Sequence, residues 1–146
     1  MSETKQILVV RRDLKMRRGK EIAQCAHASM AVFTRLIKVE EFGKQPLSDD
    51  PFDWRTTPSN MLFVFKYIDV LWQWFSSSFA KICVTVNSEQ ELLDVYNKAK
   101  EAGMLCSLIT DSGRTEFNGV PTITCCAIGP DYIEKIDPIT KHLPLY

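Results

Sequence analysis

Gln6-Ile7-Leu8-Val9-Val10, Arg11-Arg12-Asp13-Leu14-Lys15-Met16-Arg17-Arg18-Gly19 and Lys20 pass in fifteen residues from an apolar run, through a charged loop, to the start of a helical period. The run is continuous and β-branched at Ile7, Val9 and Val10, which predicts a strand buried on both faces. Gly19 permits the turn before a helix. From Lys20 to about Lys38, Ile22, Ala26, Met30, Phe33 and Ile37 recur at steps of 4, 4, 3 and 4, so they are expected to form one core-facing stripe. Lys20, Gln24 and His27 share a second stripe, about 130° around the helix at 100° per residue. Ala23, Ala26, Ala28, Ser29 and Ala31 keep this helix thin, so another element can approach it closely.

The same reading extends outward. Lys81–Val86 is a strand by its β-branched content. Ser88-Glu89-Gln90-Glu91 matches a capping box, with Ser88 as N-cap and Glu91 three residues on. The helix it opens is expected to bury Leu92, Tyr96 and Ala99 and to stop at Gly103. Leu105–Thr110 is a third strand, Asp111-Ser112-Gly113-Arg114-Thr115 a turn, and Thr122–Ile128 a fourth strand ended by Gly129-Pro130. An amphipathic helix carrying Tyr132, Ile133 and Ile136 precedes the tail His142-Leu143-Pro144-Leu145-Tyr146. Between residues 40 and 60, Gln45-Pro46, Asp49-Asp50-Pro51 and Thr57-Pro58 are turn signals, with Phe52 and Trp54 placed to pack on something. A short helix is expected at Val70–Phe75. The order describes a single-domain α/β three-layer sandwich, with a mixed four-stranded sheet and helices on both faces.

Composition agrees. The chain has 146 residues, 18 Lys+Arg against 18 Asp+Glu, 45% hydrophobic and 25% charged, which suits one globular domain and excludes disorder, collagen and coiled coil. Lys66, Asp69 and Gln73 interrupt the most apolar segment, Met61 to Phe79, which argues against a membrane span. The opening residues lack signal-peptide architecture. Cys25, Cys83, Cys106, Cys125 and Cys126 are odd in number and without C-x-x-C spacing, so neither a disulfide framework nor a metal site is expected, and a reducing cytoplasm is the expected setting. The zero net charge conceals an asymmetry. Lys5, Arg11, Arg12, Lys15, Arg17, Arg18 and Lys20 are seven cations against Asp13 alone, which leaves +6 there and −6 over the rest, a field that attracts a polyanion.

Two clusters carry candidate chemistry. One is Lys20, Gln24 and His27 with the basic loop before them; the other is Asp111 to Thr115 with Thr122 and Thr124 on the next strand. Both follow strands, and sites in open α/β folds collect beyond strand carboxyl ends, so the clusters can converge. Nucleophile-elbow, phosphate-loop and dinucleotide signatures are absent. Lys20 near a helix start faces the positive end of the helix dipole, a local conflict that points to function.

With these residues in view, the chain resembles the archaeal/eukaryotic-type peptidyl-tRNA hydrolases. The resemblance rests on the Gln6-to-Lys20 string, Ala23-Gln24-Cys25-Ala26-His27-Ala28, a D-x-G-[KR]-T-like stretch at Asp111–Thr115, T-x-T-x-x-x-I-G-P at Thr122–Pro130 and D-x-x-T-x-x-L-x-L from Asp137 to Leu145. Arg17 and Arg18 stand where the family usually has Gly and Lys. An extra residue lies between Thr115 and the Thr-x-Thr strand, and the 40–80 region reads as a family-atypical insertion within one domain spanning 1–146. The resemblance implies hydrolysis of the ester between a peptide, or an N-blocked aminoacyl group, and tRNA; no metal cluster is visible in the sequence, so no cofactor is expected. It assigns Lys20, Asp111, Thr115 and Thr124 to the reaction, with Gln24 and His27 as neighbours, and implies a homodimer. Arg11, Arg12, Lys15, Arg17, Arg18 and Arg114 then become expected tRNA backbone contacts. Two other readings are a non-catalytic RNA-binding module of the same fold and an adaptor that docks a protein through its aromatics.

Overall fold

The computed structural model describes residues 3–39, 61–63 and 68–146. The turn signals at 45–58, Phe52 and Trp54 fall outside the described residues. In chain order the elements are β1 (Thr4–Arg11), α1 (Arg18–Thr34), β2 (Ile37–Val39), β3 (Met61–Phe63), α2 (Ile68–Ser76), β4 (Lys81–Val86), α3 (Glu89–Glu101), β5 (Cys106–Asp111), β6 (Thr122–Tyr132) and α4 (Ile133–Thr140), with a 3-10 turn at Phe117–Gly119 before β6.

The four-stranded sheet has the order β4-β1-β6-β5. β1 pairs with β4 in parallel and with β6 antiparallel, while β5 pairs antiparallel with β6. β1, β4 and β5 therefore point the same way, and their carboxyl ends share one edge of the sheet with the start of β6. The two central strands are buried on both faces. Ile7 and Val9 alternate with Leu8 and Val10 between two cores. One core joins Ile7, Val9, Cys126 and Ile128 to Leu92, Val95 and Ala99 of α3 and Ile136 of α4. The other joins Leu8, Val10, Cys125 and Ala127 to Ala28 and Val32 of α1 and Leu71 of α2. This is the three-layer arrangement the element order predicts. The capping box forms as read: the Glu91 N–H donates to Ser88 Oγ at 3.1 Å and the Asn87 N–H to Glu91 Oε2 at 2.8 Å.

β6 runs on through Gly129-Pro130 to Tyr132, where the sequence reading ends the strand and begins the last helix, and two further features depart from that reading. First, α1 ends at Thr34, and Ile37 belongs to β2, which pairs with β3 in a separate two-stranded sheet. Second, the buried face of α1 is turned well away from the stripe the apolar period marks, although Phe33 of that stripe does pack against the core. Ile22 is 64% and Met30 59% exposed, while Gln24, Ala28, Ser29 and Val32 are buried. The small face wins because the sheet binds it through hydrogen bonds that need close approach. Cys125 Sγ donates to the Gln24 carbonyl at 3.2 Å and Ser107 Oγ to the Ala28 carbonyl at 2.6 Å. Ser29 Oγ donates to buried Gln6 Oε1 at 2.6 Å. Each satisfies a group that burial would otherwise leave unpaired.

The aromatics after residue 68 divide between core and surface. Trp74 is fully buried, stacks on Phe33 with ring centroids 5.8 Å apart and donates its indole N–H to the Ala80 carbonyl, while Trp72 is exposed. The C-terminal tail lies along the outer edge of β4. The Thr85 N–H donates to the Pro144 carbonyl at 2.9 Å and the Tyr146 N–H to the Cys83 carbonyl at 3.0 Å.

Candidate functional site

Lys20 sits in the first turn of α1, where three backbone N–H groups already carry partial positive charge. Its ammonium is stabilised there by a carboxylate ninety-one residues away: Nζ lies 2.6 Å from Asp111 Oδ2. It also donates to Thr115 Oγ1 at 3.0 Å. One helical turn along, Gln24 donates from Nε2 to the same Asp111 Oδ2 at 3.0 Å and accepts at Oε1 from Thr124 Oγ1 at 2.6 Å. The Gly113 N–H donates to Asp111 Oδ1 at 2.8 Å. The two sequence clusters thus meet as one network at the strand-end edge, and five of the six residues assigned to the reaction, Lys20, Gln24, Asp111, Thr115 and Thr124, are its members. The sixth, His27, is exposed and makes no hydrogen bond to another described residue. It lines the crevice beside the network instead.

The backbone supplies this convergence. At the β5–β6 pairing, Ile109 is opposite Cys125 and Thr110 opposite Ile123, so Thr124 is the extra residue of a β-bulge. A bulge turns two consecutive side chains to one face. Thr124 bonds Gln24 and Cys125 bonds the Gln24 carbonyl, both towards α1, whereas Ile123 packs with the opposite core. Strict alternation would send Thr124 away from the site. In the Asp111–Thr115 turn, Gly113 has φ +78°, and a Cβ there would lie 2.3 Å from the Val120 carbonyl oxygen. Gly113→Ala is therefore expected to cost on the order of 2 kcal/mol or more of stability, through backbone strain and a clash that cannot relax as a side chain can. Denaturant unfolding of the variant, unchanged in midpoint, would contradict this account of the turn.

Electrostatics favour the ionised carboxylate at Asp111. Lys20 above all, with the Gly113 N–H and Gln24 beside it, holds the Asp111 carboxyl below the usual carboxylate range against its partial desolvation. A group whose folded-state pKa is depressed contributes stability above its unfolded pKa of about 4 and loses it as pH falls through the lower folded value. The difference in unfolding midpoint between wild type and Asp111→Asn should therefore be flat from pH 8 to 5 and shrink below about pH 4. Midpoints measured at each pH check this. Among the adjacent thiols, burial pushes Cys125 up to about 12, and the hydrogen bond between Cys25 and Cys83 raises Cys25 while it lowers Cys83.

The basic stretch is reshaped by folding. Of its seven cations, Lys5 pairs with Asp137, Arg11 with Asp13 and Glu89, Arg17 with Glu116 and Lys20 with Asp111. Arg11 corrects the sequence expectation. It is 8% exposed, and its guanidinium donates to Glu89 at 2.7 Å, to the Ile123 carbonyl at 3.0 Å and to both Asp13 oxygens. It clamps the ends of β1, α3 and β6 and has no donor fork to offer a phosphate. Arg12, Lys15 and Arg18 are exposed and in no ion pair with a described residue; with Asp13, Glu21, Asn87 and Tyr146 they border a hollow of about 570 Å³. Arg114 is exposed on the turn beside Thr115. Phe117, with its ring centroid 5.9 Å from Lys20 Nζ, and Glu116 are site neighbours that the sequence reading missed.

An α/β sandwich with a lysine–carboxylate–amide–hydroxyl network at its strand-end edge defines an enzyme-like cleft suited to water chemistry. The family model described as "Peptidyl-tRNA hydrolase PTH2" matches residues 4–146, and the chain belongs to that family. It is 37% identical over 141 residues to "Peptidyl-tRNA hydrolase" of Methanocaldococcus jannaschii, covering 97% of this chain and 98% of that one. It is 38% identical over 141 residues to the protein of the same name from Methanothermobacter thermautotrophicus, with the same coverage. A "Probable peptidyl-tRNA hydrolase 2" from Dictyostelium discoideum is 36% identical over 146 residues, and the chain spans 56% of its length. Among solved structures, a protein of unknown function from Agrobacterium tumefaciens strain C58 superimposes with a TM-score of 0.52 at 13% identity, covering 100% of this chain and 99% of that one, a likeness of fold.

Proposed function

We propose that the protein hydrolyses the ester joining a peptide, or an N-blocked aminoacyl group, to tRNA, returning free tRNA to translation. Family membership and the names of its full-length archaeal relatives support this reading, and the single observation that carries it is the 2.6 Å Lys20–Asp111 pair wired to Gln24 and two threonines.

Counting donors and acceptors gives the roles. An ammonium has three N–H donors; Lys20 uses one on Asp111 and one on Thr115, and the third is available to an ester oxyanion as negative charge develops there. An ionised carboxylate has about four acceptor sites. Asp111 fills two at Oδ2, with Lys20 and Gln24, and one at Oδ1, with Gly113. One Oδ1 site is left for a water. A carboxylate held this acidic is a weak base, so Asp111 orients the water and takes its proton only as the new C–O bond forms. The C–O bond to the terminal ribose then breaks, the ribose oxygen leaves with a proton, and a carboxylic acid and free tRNA are released. Gln24, locked by Thr124, keeps the carboxylate in this orientation as a positioning residue, and Thr115 does the same for Lys20.

Arg12, Lys15, Arg17, Arg18 and Arg114 take the tRNA backbone phosphates, a contact without sequence readout that suits an enzyme serving many tRNAs. A cytoplasmic setting accords with five free cysteines, and a homodimer is carried as part of this proposal, to be tested by sedimentation. The decisive assay is release of free tRNA from N-acetyl-aminoacyl-tRNA under single-turnover conditions. Salt-sensitive tRNA binding without release would instead identify a binding-only module.

A further inference from the structure

A crevice of about 430 Å³, within the size range of ligand clefts, runs along α1 away from the basic loop. It starts at Gln24 and Asp111 and extends past Met30 and Ala31 to Thr34, with Ile109 and Thr110 of β5 as the opposite wall. Ten residues of helix separate Gln24 from Thr34, about 15 Å of length. Among the described residues that line it, Asp111 carries the one formal charge, and that charge is already matched by Lys20. At the other end of the same helix, Arg12, Lys15 and Arg18 border a hollow shared with Glu21 and with Asp13, whose charge is already matched by Arg11, so cations are in excess there. The network therefore stands between a cationic region and a neutral, half-apolar one.

The substrate has the same polarity. On one side of its ester lies a polyanion, on the other an acyl chain without phosphates. The exposed Met30, which the apolar period of α1 wrongly assigns to the core, belongs to neither hydrophobic core of the described residues and lines the crevice with Ile109 and Thr110 of β5 instead. Resting on the hydrolase reading above, we propose that this crevice is the acyl subsite: the esterified residue places its side chain between Met30 and Ile109, and the peptide continues toward Thr34 while the tRNA leaves over the basic loop. Met30 is flexible and polarisable, so it accommodates many side chains, as a general peptidyl-tRNA substrate requires.

The test is single-turnover kcat/KM on one tRNA carrying N-acetyl-phenylalanyl, N-acetyl-glycyl or an N-acetylated tripeptide. Met30→Ala, at an exposed position that folding tolerates, should lower the phenylalanyl-to-glycyl ratio about five- to tenfold, the scale of a lost apolar pocket contact. Thr34→Trp, at the far end, should lower the tripeptidyl-to-glycyl ratio by a similar factor. Ratios unchanged in both variants, with wild type active, overturn the subsite alone. An equal fall for all three acyl groups, with weaker inhibition by deacylated tRNA, would mean that the crevice holds the terminal nucleoside and also overturns it. An inactive wild type overturns the hydrolase reading and takes this inference with it.

Discussion

Asp111→Asn should lower the single-turnover rate of N-acetyl-aminoacyl-tRNA hydrolysis by about 10²–10⁴-fold with tRNA affinity little changed, and Lys20→Ala should do the same. The size follows from what each change removes. Asparagine keeps the shape of the side chain and can still accept at one atom, but it leaves the Lys20 ammonium without its counter-charge and presents an amide where a water-orienting oxygen stood. Alanine at position 20 removes the donor proposed for the oxyanion and at once frees Asp111 from the partner that holds its pKa down. Because the two groups act as one unit, the double variant should be hardly slower than either single one. Multiplicative losses would mean that the two side chains contribute separately. Near wild-type rates in either folded single variant would remove the assignment altogether.

Salt dependence of tRNA binding should change nearly as much. Each phosphate neutralised contributes about 0.7 to 0.9 to the slope of log affinity against log salt. Arg12, Lys15 and Arg18 are exposed and unpaired with described carboxylates, so replacing all three with alanine should flatten that slope by about 2 to 3. Between 50 and 200 mM salt, wild type should then lose roughly twenty- to fortyfold more affinity than the triple variant. Arg11→Ala provides the contrast: its guanidinium is spent on Glu89, Asp13 and a carbonyl, so it should lower stability and leave the slope alone. An equal effect of Arg11 on the slope would show that the clamp opens when tRNA binds.

The contrast also marks what a linear chain discloses. The strand–loop–helix opening, the capping box at Ser88 and the meeting of Lys20 with Asp111 follow from periodicity and motif spacing, because each depends on local preference or on where strands end. The core face of α1 could not be read that way. Apolar spacing favours Ile22, Ala26 and Met30, yet the sheet selects Gln24, Ala28 and Ser29, since the hydrogen bonds that Cys125 and Ser107 donate to the helix and that Ser29 donates to Gln6 outweigh a few apolar side chains and require a helix that comes close. The bulge at Thr124 is equally invisible: Thr-x-Thr alternation places Thr122 and Thr124 together, and only the pairing with β5 shows that Thr124 turns to share a face with Cys125. Arg11 is the last residue of β1 and Arg12 the first beyond it, and that single step decides between burial in a clamp and exposure to solvent. Charge counting cannot see where the strand ends.

The tail segment along β4 has a bearing on colloidal behaviour. Leu145 is 72% exposed, so backbone pairing rather than side-chain burial holds that end in place. An open strand edge is a template on which further chains can add and aggregate. By occupying the Cys83 and Thr85 positions, residues 144–146 act as an internal stopper against runaway stacking, and loosening them would convert a quiet rim into a sticky one.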